Sequence, residues 1–323
     1  MLTKFNTFLQ RRIAILTPLS LLIGVLFHQV GEQLLFLVSW LIAFITFTGS
    51  LGMNVRESRM VVKHPGIVLG SIAFLHILMP AWAYLLSIIF FDDHLLTIGF
   101  ILAVAVPTGV TSVIWVTITK GNLPLCLSII LVDTLLAPIV MPGILHVVAG
   151  ERITLDTGSL ILNLVWMILL PTIIGIVLNE WTKGKAKAAL SPKLSPFSKL
   201  SLFAIVAING SAVSPYVQKF TWELIGIILL VLFLAVTGYA AALAIAHIIW
   251  KSPEISATFM YVGGMRNIAI GVVIATTYFP VKVAMPVVFG MLFQQVLASF
   301  YSKVIEKYNR WVTLKHNKNG IAT

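Results

Sequence analysis

The chain has 323 residues, of which 59% are apolar and only 10% charged, with a net charge of +11 and a mean hydropathy of +1.01. Soluble domains carry about 25% charged residues, so this composition excludes most soluble folds and leaves no room for a large soluble domain. In such a chain the basic excess points to loops on one side of a membrane, and no nucleic-acid partner is expected. The single cysteine, Cys126, lies in an apolar run, so no internal disulfide is possible.

A helix needs about 20 apolar residues to cross a hydrocarbon core. Apolar runs at 13–30, 34–53, 66–91, 95–119, 123–148, 157–179, 199–217, 223–249, 254–278 and 281–304 give ten expected spans. Each is too long for a strand, and an open sheet edge would not survive in lipid. The first run follows Lys4, Arg11 and Arg12, yet no small-x-small cleavage site comes after it. It reads as a retained helix and not as a signal peptide.

With ten spans and a cytoplasmic N-terminus, eighteen of the twenty-two Lys and Arg residues fall on the inner side, and only Arg152, Lys219 and Lys282 fall outside. This bias predicts a multi-pass protein of the cell membrane with both termini cytoplasmic. The basic stretch from Thr182 to Lys199 reads as a topological anchor, with membrane-lipid head groups as the sharper alternative partner.

Two runs contain material poorly suited to a continuous helix. The fourth holds Pro107-Thr108-Gly109-Val110-Thr111-Ser112, and the ninth holds Val262-Gly263-Gly264-Met265-Arg266-Asn267. Unwound backbone at such places suits the lining of a cavity. The fourth and ninth runs are the fourth members of two sets of five, and a duplicated odd set must lie inverted. Interrupted helices at matching places in inverted repeats point to a transporter's midplane site. The expected fold is therefore all-α and integral to the membrane, with a first repeat over 1–150 and an inverted second repeat over 151–323 ending in a basic tail. Pro107, Gly109, Gly263 and Gly264 would supply the crossover backbone.

Asp133 and Arg266 are the two unequivocal charges deep in the runs. Each costs about 2.5–3.5 kcal/mol at a helix centre, so each should face protein or water and have a partner. Cys126, Ile130, Asp133 and Ala137 fall on one helical stripe. Arg266, at the start of a half-helix, makes a candidate anion site. The alternative is an Arg266–Asp133 ion pair holding two parts of the protein together, and the two roles are compatible. For the intramembrane histidines His76, His146 and His247, hydrogen-bonded packing is the expected role of each, with proton carriage the alternative for His76. Asn209-Gly210-Ser211 and the pair Gln294-Gln295 are polar interruptions that suit helix-to-helix bonding, with the lining of a cavity as the alternative.

The segment from Pro107 to Pro142, with P-x-G-x-x-S at the break, Lys120-Gly121-Asn122 before the next helix and T-L-x-x-P beyond it, resembles the bile acid:sodium symporter family. Gly264-Met265-Arg266-Asn267 is similar to that family's G-M-Q-N in the second crossover helix. The resemblance implies a panel domain (helices one, two, six and seven) moving against a core domain of the other six. It also implies two sodium sites, whose ligand positions here carry Val113, Cys126 and Ile130 at the first, beside a retained Ser112, and Val262 and Arg266 at the second. Sodium wants oxygen ligands, so neither site is intact in this sequence.

The function expected is secondary active transport of a small organic anion, a carboxylate or sterol-like acid, by alternating access. Thr111, Ser112, Arg266 and Asn267 would touch the substrate, while Asp133, Arg266 and His76 would handle coupling or form a charge pair. Coupling to protons or no coupling is favoured, with Arg266 supplying the positive charge that sodium supplies in relatives. A sodium-coupled symporter with rearranged ion sites is the alternative, and a channel, a sensor or a membrane enzyme is the rival from another class. Asp92-Asp93-His94 lacks a second acidic motif and reads as a solvated turn, not a metal centre. Gly184-Lys185 lacks the flanking residues of a phosphate loop. No cofactor, metal or catalytic residue is expected.

Overall fold

The computed structural model describes residues 2–53, 59–150, 156–218 and 221–320. Arg56, Arg152 and Lys219, used in the charge count, lie outside the described residues. Among the described residues sixteen α-helices follow one another, and the only extended pairing is one isolated bridge. Seven helical stretches are long and apolar enough to cross a membrane, and Leu35–Ser50, His94–Ala105 and Ile268–Tyr278 are shorter apolar helices. The protein is therefore a multi-pass membrane protein.

The first helices are α1 (Leu2–Leu26), the short α2 (His28–Gln33) and α3 (Leu35–Ser50). After the short α4 (Arg59–Lys63), α5 (Pro65–Ala73) and α6 (Met79–Phe90) form one rod joined by a π turn at Phe74–Leu78. The turn has a local cause. Pro80 donates no N–H, and its ring would clash with the carbonyl of His76 in a regular α-helix. The same device recurs where Pro171 follows a π turn at Val165–Leu169, between α10 (Thr157–Leu164) and α11 (Leu170–Trp181).

Two further rods are interrupted where the sequence predicts breaks. α7 (His94–Ala105) ends before Pro107, and α8 (Ser112–Ile118) begins after Thr111. Likewise α14 (Pro253–Gly264) stops at the paired glycines and α15 (Ile268–Tyr278) resumes beyond Asn267. Between these pairs lie α9 (Leu123–Ala149), α12 (Lys185–Val217) and α13 (Trp222–Trp250), and α16 (Ala284–Gly320) closes the chain. Side-chain oxygens of Asp93, Asn122, Asp156, Thr221 and Ser252 accept from backbone N–H groups at five helix starts.

Several expected limits move. The apolar run at 13–30 begins within a helix that already starts at Leu2, and the basic stretch after Thr182 is the first half of α12. Pro192 and Pro196 do not end that helix, because α1 packs along it more closely than any other neighbour does. Tertiary packing here overrides local propensity.

Candidate functional site

The two interrupted rods cross each other, and backbone hydrogen bonds join them. Thr108 and Arg266 form an antiparallel bridge, in which the Gly109 N–H donates to the Met265 carbonyl at 3.0 Å and the Asn267 N–H to the Pro107 carbonyl at 2.7 Å. The Thr108 hydroxyl donates to the Val262 carbonyl at 3.3 Å. Backbone groups freed by Pro107 and the glycines thus satisfy one another, as burial requires. The approach is close enough to demand glycine. A Cβ on Gly109 would lie 2.9 Å from the Arg266 carbonyl oxygen, and one on Gly264 would lie 2.4 Å from the Tyr239 ring. Gly263 packs in the same way against Ala242 and Phe74.

Asp133 reaches this crossing from α9. Its Oδ2 accepts the Thr108 N–H at 2.6 Å, and its Oδ1 lies 2.6 Å from His76 Nε2. The carboxyl group is fully buried and His76 is nearly so. His76 sits inside the π turn of the α5–α6 rod, where widening of the helix carries its side chain toward α9. The Arg266–Asp133 ion pair considered from the sequence is not formed as a direct contact, although the carboxylate still acts on the guanidinium through space.

Arg266 is 4% exposed. Its backbone N–H donates to Gln294 Oε1 at 3.0 Å, yet Nη1 and Nη2 have no hydrogen-bond partner and no ion pair among the described residues. Asp133 acts on this guanidinium only through space, and buried N–H donors left without an acceptor are costly unless a ligand joins them. The side chain borders a cavity of about 60 Å³, shared with Gly109, Thr111, Asn267, Gln294 and Gln295. Thr111 and Asn267 stand at the N-cap positions of α8 and α15, and neither spends its side chain on capping.

Ser112 is not brought into this cavity. It is fully buried, and its hydroxyl faces Cys126 Sγ at 3.8 Å. The stripe of Cys126, Ile130, Asp133 and Ala137 is buried throughout, as its spacing suggested. The residues at the first expected sodium site therefore offer a thiol and a branched alkyl group beside one hydroxyl, and at the second the Val262 carbonyl already accepts from Thr108. Neither set resembles an oxygen cage. Asp93 caps α7 and pairs with Lys282 at 2.7 Å, while His94 bonds the Ala149 carbonyl, so that acidic turn is structural.

Two parts of the site carried no signal in the sequence: Thr108 links Asp133 to the crossing, and Thr17, Leu202, Ile205 and Val206 wall the cavity from α1 and α12. Gln294, singled out with Gln295 as a polar interruption, holds the Arg266 backbone.

Comparison with known proteins agrees with this architecture. Residues 39–220 match the Sodium Bile acid symporter family. An uncharacterized protein, YbaS, of Bacillus subtilis (strain 168) is 42% identical over 91% of this chain and 96% of its own. An uncharacterized sodium-dependent transporter of the same organism, YocS, is 26% identical over 88% of this chain and 90% of its own. A probable sodium/metabolite cotransporter of Arabidopsis thaliana chloroplasts, BASS1, is 25% identical over 75% of this chain and 60% of its own. The chain belongs to the sodium bile acid symporter family, and it is a membrane transporter and not an enzyme.

Proposed function

We propose that the protein is a secondary transporter of a small organic anion, a carboxylate or sterol-like acid, working by alternating access. The observation that carries this reading is the buried Arg266 guanidinium, unpartnered at Nη1 and Nη2 and bordering a cavity with Thr111 and Asn267. A substrate carboxylate there would accept from the guanidinium in a bidentate, charge-assisted pair. Arg266, Thr111 and Asn267 touch the substrate, while Ser112, next to Thr111, is buried against Cys126. Pro107, Gly109, Gly263 and Gly264 keep the crossing backbone close to the anion.

The helices read as ten spans in two inverted sets of five, over 1–150 and 151–323, with α7–α8 and α14–α15 as the broken members. The panel domain is α1, α3, α10–α11 and α12, and the core domain is the remainder. Both termini and the basic start of α12 face the cytoplasm, in the cell membrane. Coupling runs through the His76–Asp133 pair. The two side chains are in hydrogen-bond contact, and the Thr108 N–H on the other carboxylate oxygen ties the pair to the crossing. A fixed arginine takes the electrostatic place of a bound sodium ion, so a sodium gradient is not required.

Uptake into proteoliposomes tests the reading, with labelled acetate, benzoate and cholate under imposed sodium or pH gradients. Uptake of at least one acid without sodium is expected, as is its loss in Arg266→Gln. Strict sodium dependence sinks the coupling assignment, and undiminished uptake by Arg266→Gln sinks the anion site.

A further inference from the structure

The cavity at the crossing, about 60 Å³, has room for little more than a carboxylate or a few waters. It shares Ile45, Val110, Thr111 and Leu202 with a second cavity of about 380 Å³, which lies toward the basic start of α12. That volume suits the body of a small organic acid. Its walls divide by chemistry. Val113, Ile114 and Leu127 make one side apolar, while α12 contributes Lys187, Lys199 and three serines. Ser191, Ser195, Ser198 and Leu202 follow the i, i+4, i+7, i+11 stripe of a single helix face.

Lys199 is the unexpected member of this wall. A topological anchor should carry its ammonium out to water along a snorkelling stem. Lys199 is instead only 8% exposed. Its Nζ donates to Asn6 Oδ1 and to Ser195 Oγ, both neutral, and no carboxylate pairs with it among the described residues. An ammonium has three donors, so one remains for a ligand. Lys187 marks the mouth, donating to the Gly52 carbonyl at 3.1 Å. Ile205 and Val206, six and seven residues along α12, already wall the crossing cavity. The backbone of Lys199 thus lies about 10 Å along the α12 axis from residues that wall the crossing cavity.

We propose that Lys199 and Ser195 form a second anion-binding subsite, which takes the carboxylate of a small organic acid while its apolar body rests on Val113 and Leu127. The acid would occupy this station before or after the crossing. The inference rests on the organic-anion reading of the crossing and deepens it by adding a second station for the same substrate class. The phosphate of an anionic lipid head group shares the required chemistry, so the test separates the two sources.

Calorimetric titration of the purified full-length protein in detergent decides it, with acetate, benzoate and cholate as probes and dihexanoyl-phosphatidylglycerol in a separate arm. Arg266→Gln protein should still bind at least one of the acids. Adding Lys199→Gln should weaken that binding about tenfold, and Lys199→Arg should leave it within about threefold, because charge is retained. Ser195→Ala, which removes only a hydroxyl, should weaken it by a smaller factor and guards against misfolding of the lysine variants. If no acid binds in a Lys199-dependent way, the subsite is refuted. Lys199-dependent binding of phosphatidylglycerol alone refutes it too, since the site is then a lipid site. Loss of all binding in Arg266→Gln, with Lys199→Gln unchanged, removes this station and leaves the crossing reading intact. Full transport by Arg266→Gln does the reverse.

Discussion

Asp133 holds His76 with one carboxylate oxygen and the Thr108 N–H with the other, each at 2.6 Å. One buried carboxyl group therefore joins the π turn of the α5–α6 rod to the crossing of the two broken rods. Asp133→Ala would leave a buried imidazole and a buried N–H without partners, a cost on the order of 3 kcal/mol. Asp133→Asn keeps an acceptor for Thr108 but cannot exchange a proton with His76. The alanine variant should show a clearly lowered thermal midpoint. The asparagine variant should fold, and its uptake should no longer respond to an imposed pH gradient. A pH response equal to the wild type would remove Asp133 from coupling.

How much of this was legible in the sequence depends on how local the cause is. Pro107 and Gly263-Gly264 break their helices through their own backbone chemistry, so both interruptions were readable, and so was the buried stripe through Asp133. His76 could be placed in one coupling set with Asp133, but their direct contact was not readable, because His76 lies 57 residues away and is delivered by a π turn. Hydropathy does not distinguish that turn from an ordinary helical one. Ser112 looked like a site residue because it follows the break, yet as the first residue of α8 it is buried with its hydroxyl toward Cys126. Lys199 matched an anchor by composition, and only its burial against α1 distinguishes it from its basic neighbours.

The crossing depends on the absence of two side chains. Gly264→Ala would place a methyl group 2.4 Å from the Tyr239 ring, and Gly109→Ala would place one 2.9 Å from the Arg266 carbonyl oxygen. Overpacking of this kind costs about 1–3 kcal/mol, and displacement at Gly109 would also disturb the bridge that sets Arg266. Gly143→Ala meets nothing within 4 Å and serves as the control. Thermal unfolding in detergent should rank the control above both crossing variants. Gly109→Ala should lose more uptake than its stability loss explains.

At the end of the protein opposite the basic start of α12, Lys282 bridges Asp93 and Glu223, each at 2.7 Å. Burial raises the Asp93 carboxyl, but the Lys282 ammonium and the N–H groups of Leu96 and Leu95 outweigh it and hold the group below its ordinary value of 3.8. A depressed carboxyl contributes stability above its unfolded value, and that contribution is lost as pH falls through the folded one. The thermal midpoint should therefore decline as the medium is taken below about pH 4. Asp93→Asn retains a side-chain acceptor for capping α7 but not the ion pair, so its midpoint should start lower at neutral pH and decline less. Equal acid sensitivity in the two proteins would show that Asp93 makes no contribution.

On that same side, the Tyr278 hydroxyl at the end of α15 accepts from Asn163 Nδ2 and shares a hydrogen bond with Ser159 Oγ at 3.2 Å. Both partners lie on α10, so this group latches a broken rod to a helix of the proposed panel domain. Tyr278→Phe removes both bonds while keeping the ring. Each bond contributes about 0.5–1.5 kcal/mol to whichever state contains it, so the balance between states should shift about tenfold toward the form in which this side is open. Cysteines introduced at Thr111 or Asn267 in a Cys126→Ala background report the change. In right-side-out vesicles, Tyr278→Phe should speed their labelling by a membrane-impermeant thiol reagent, and saturation with a transported acid should protect them. Unchanged labelling would mean that the latch does not hold the closed state, and the alternating motion would have to be resisted elsewhere along α10 and α15.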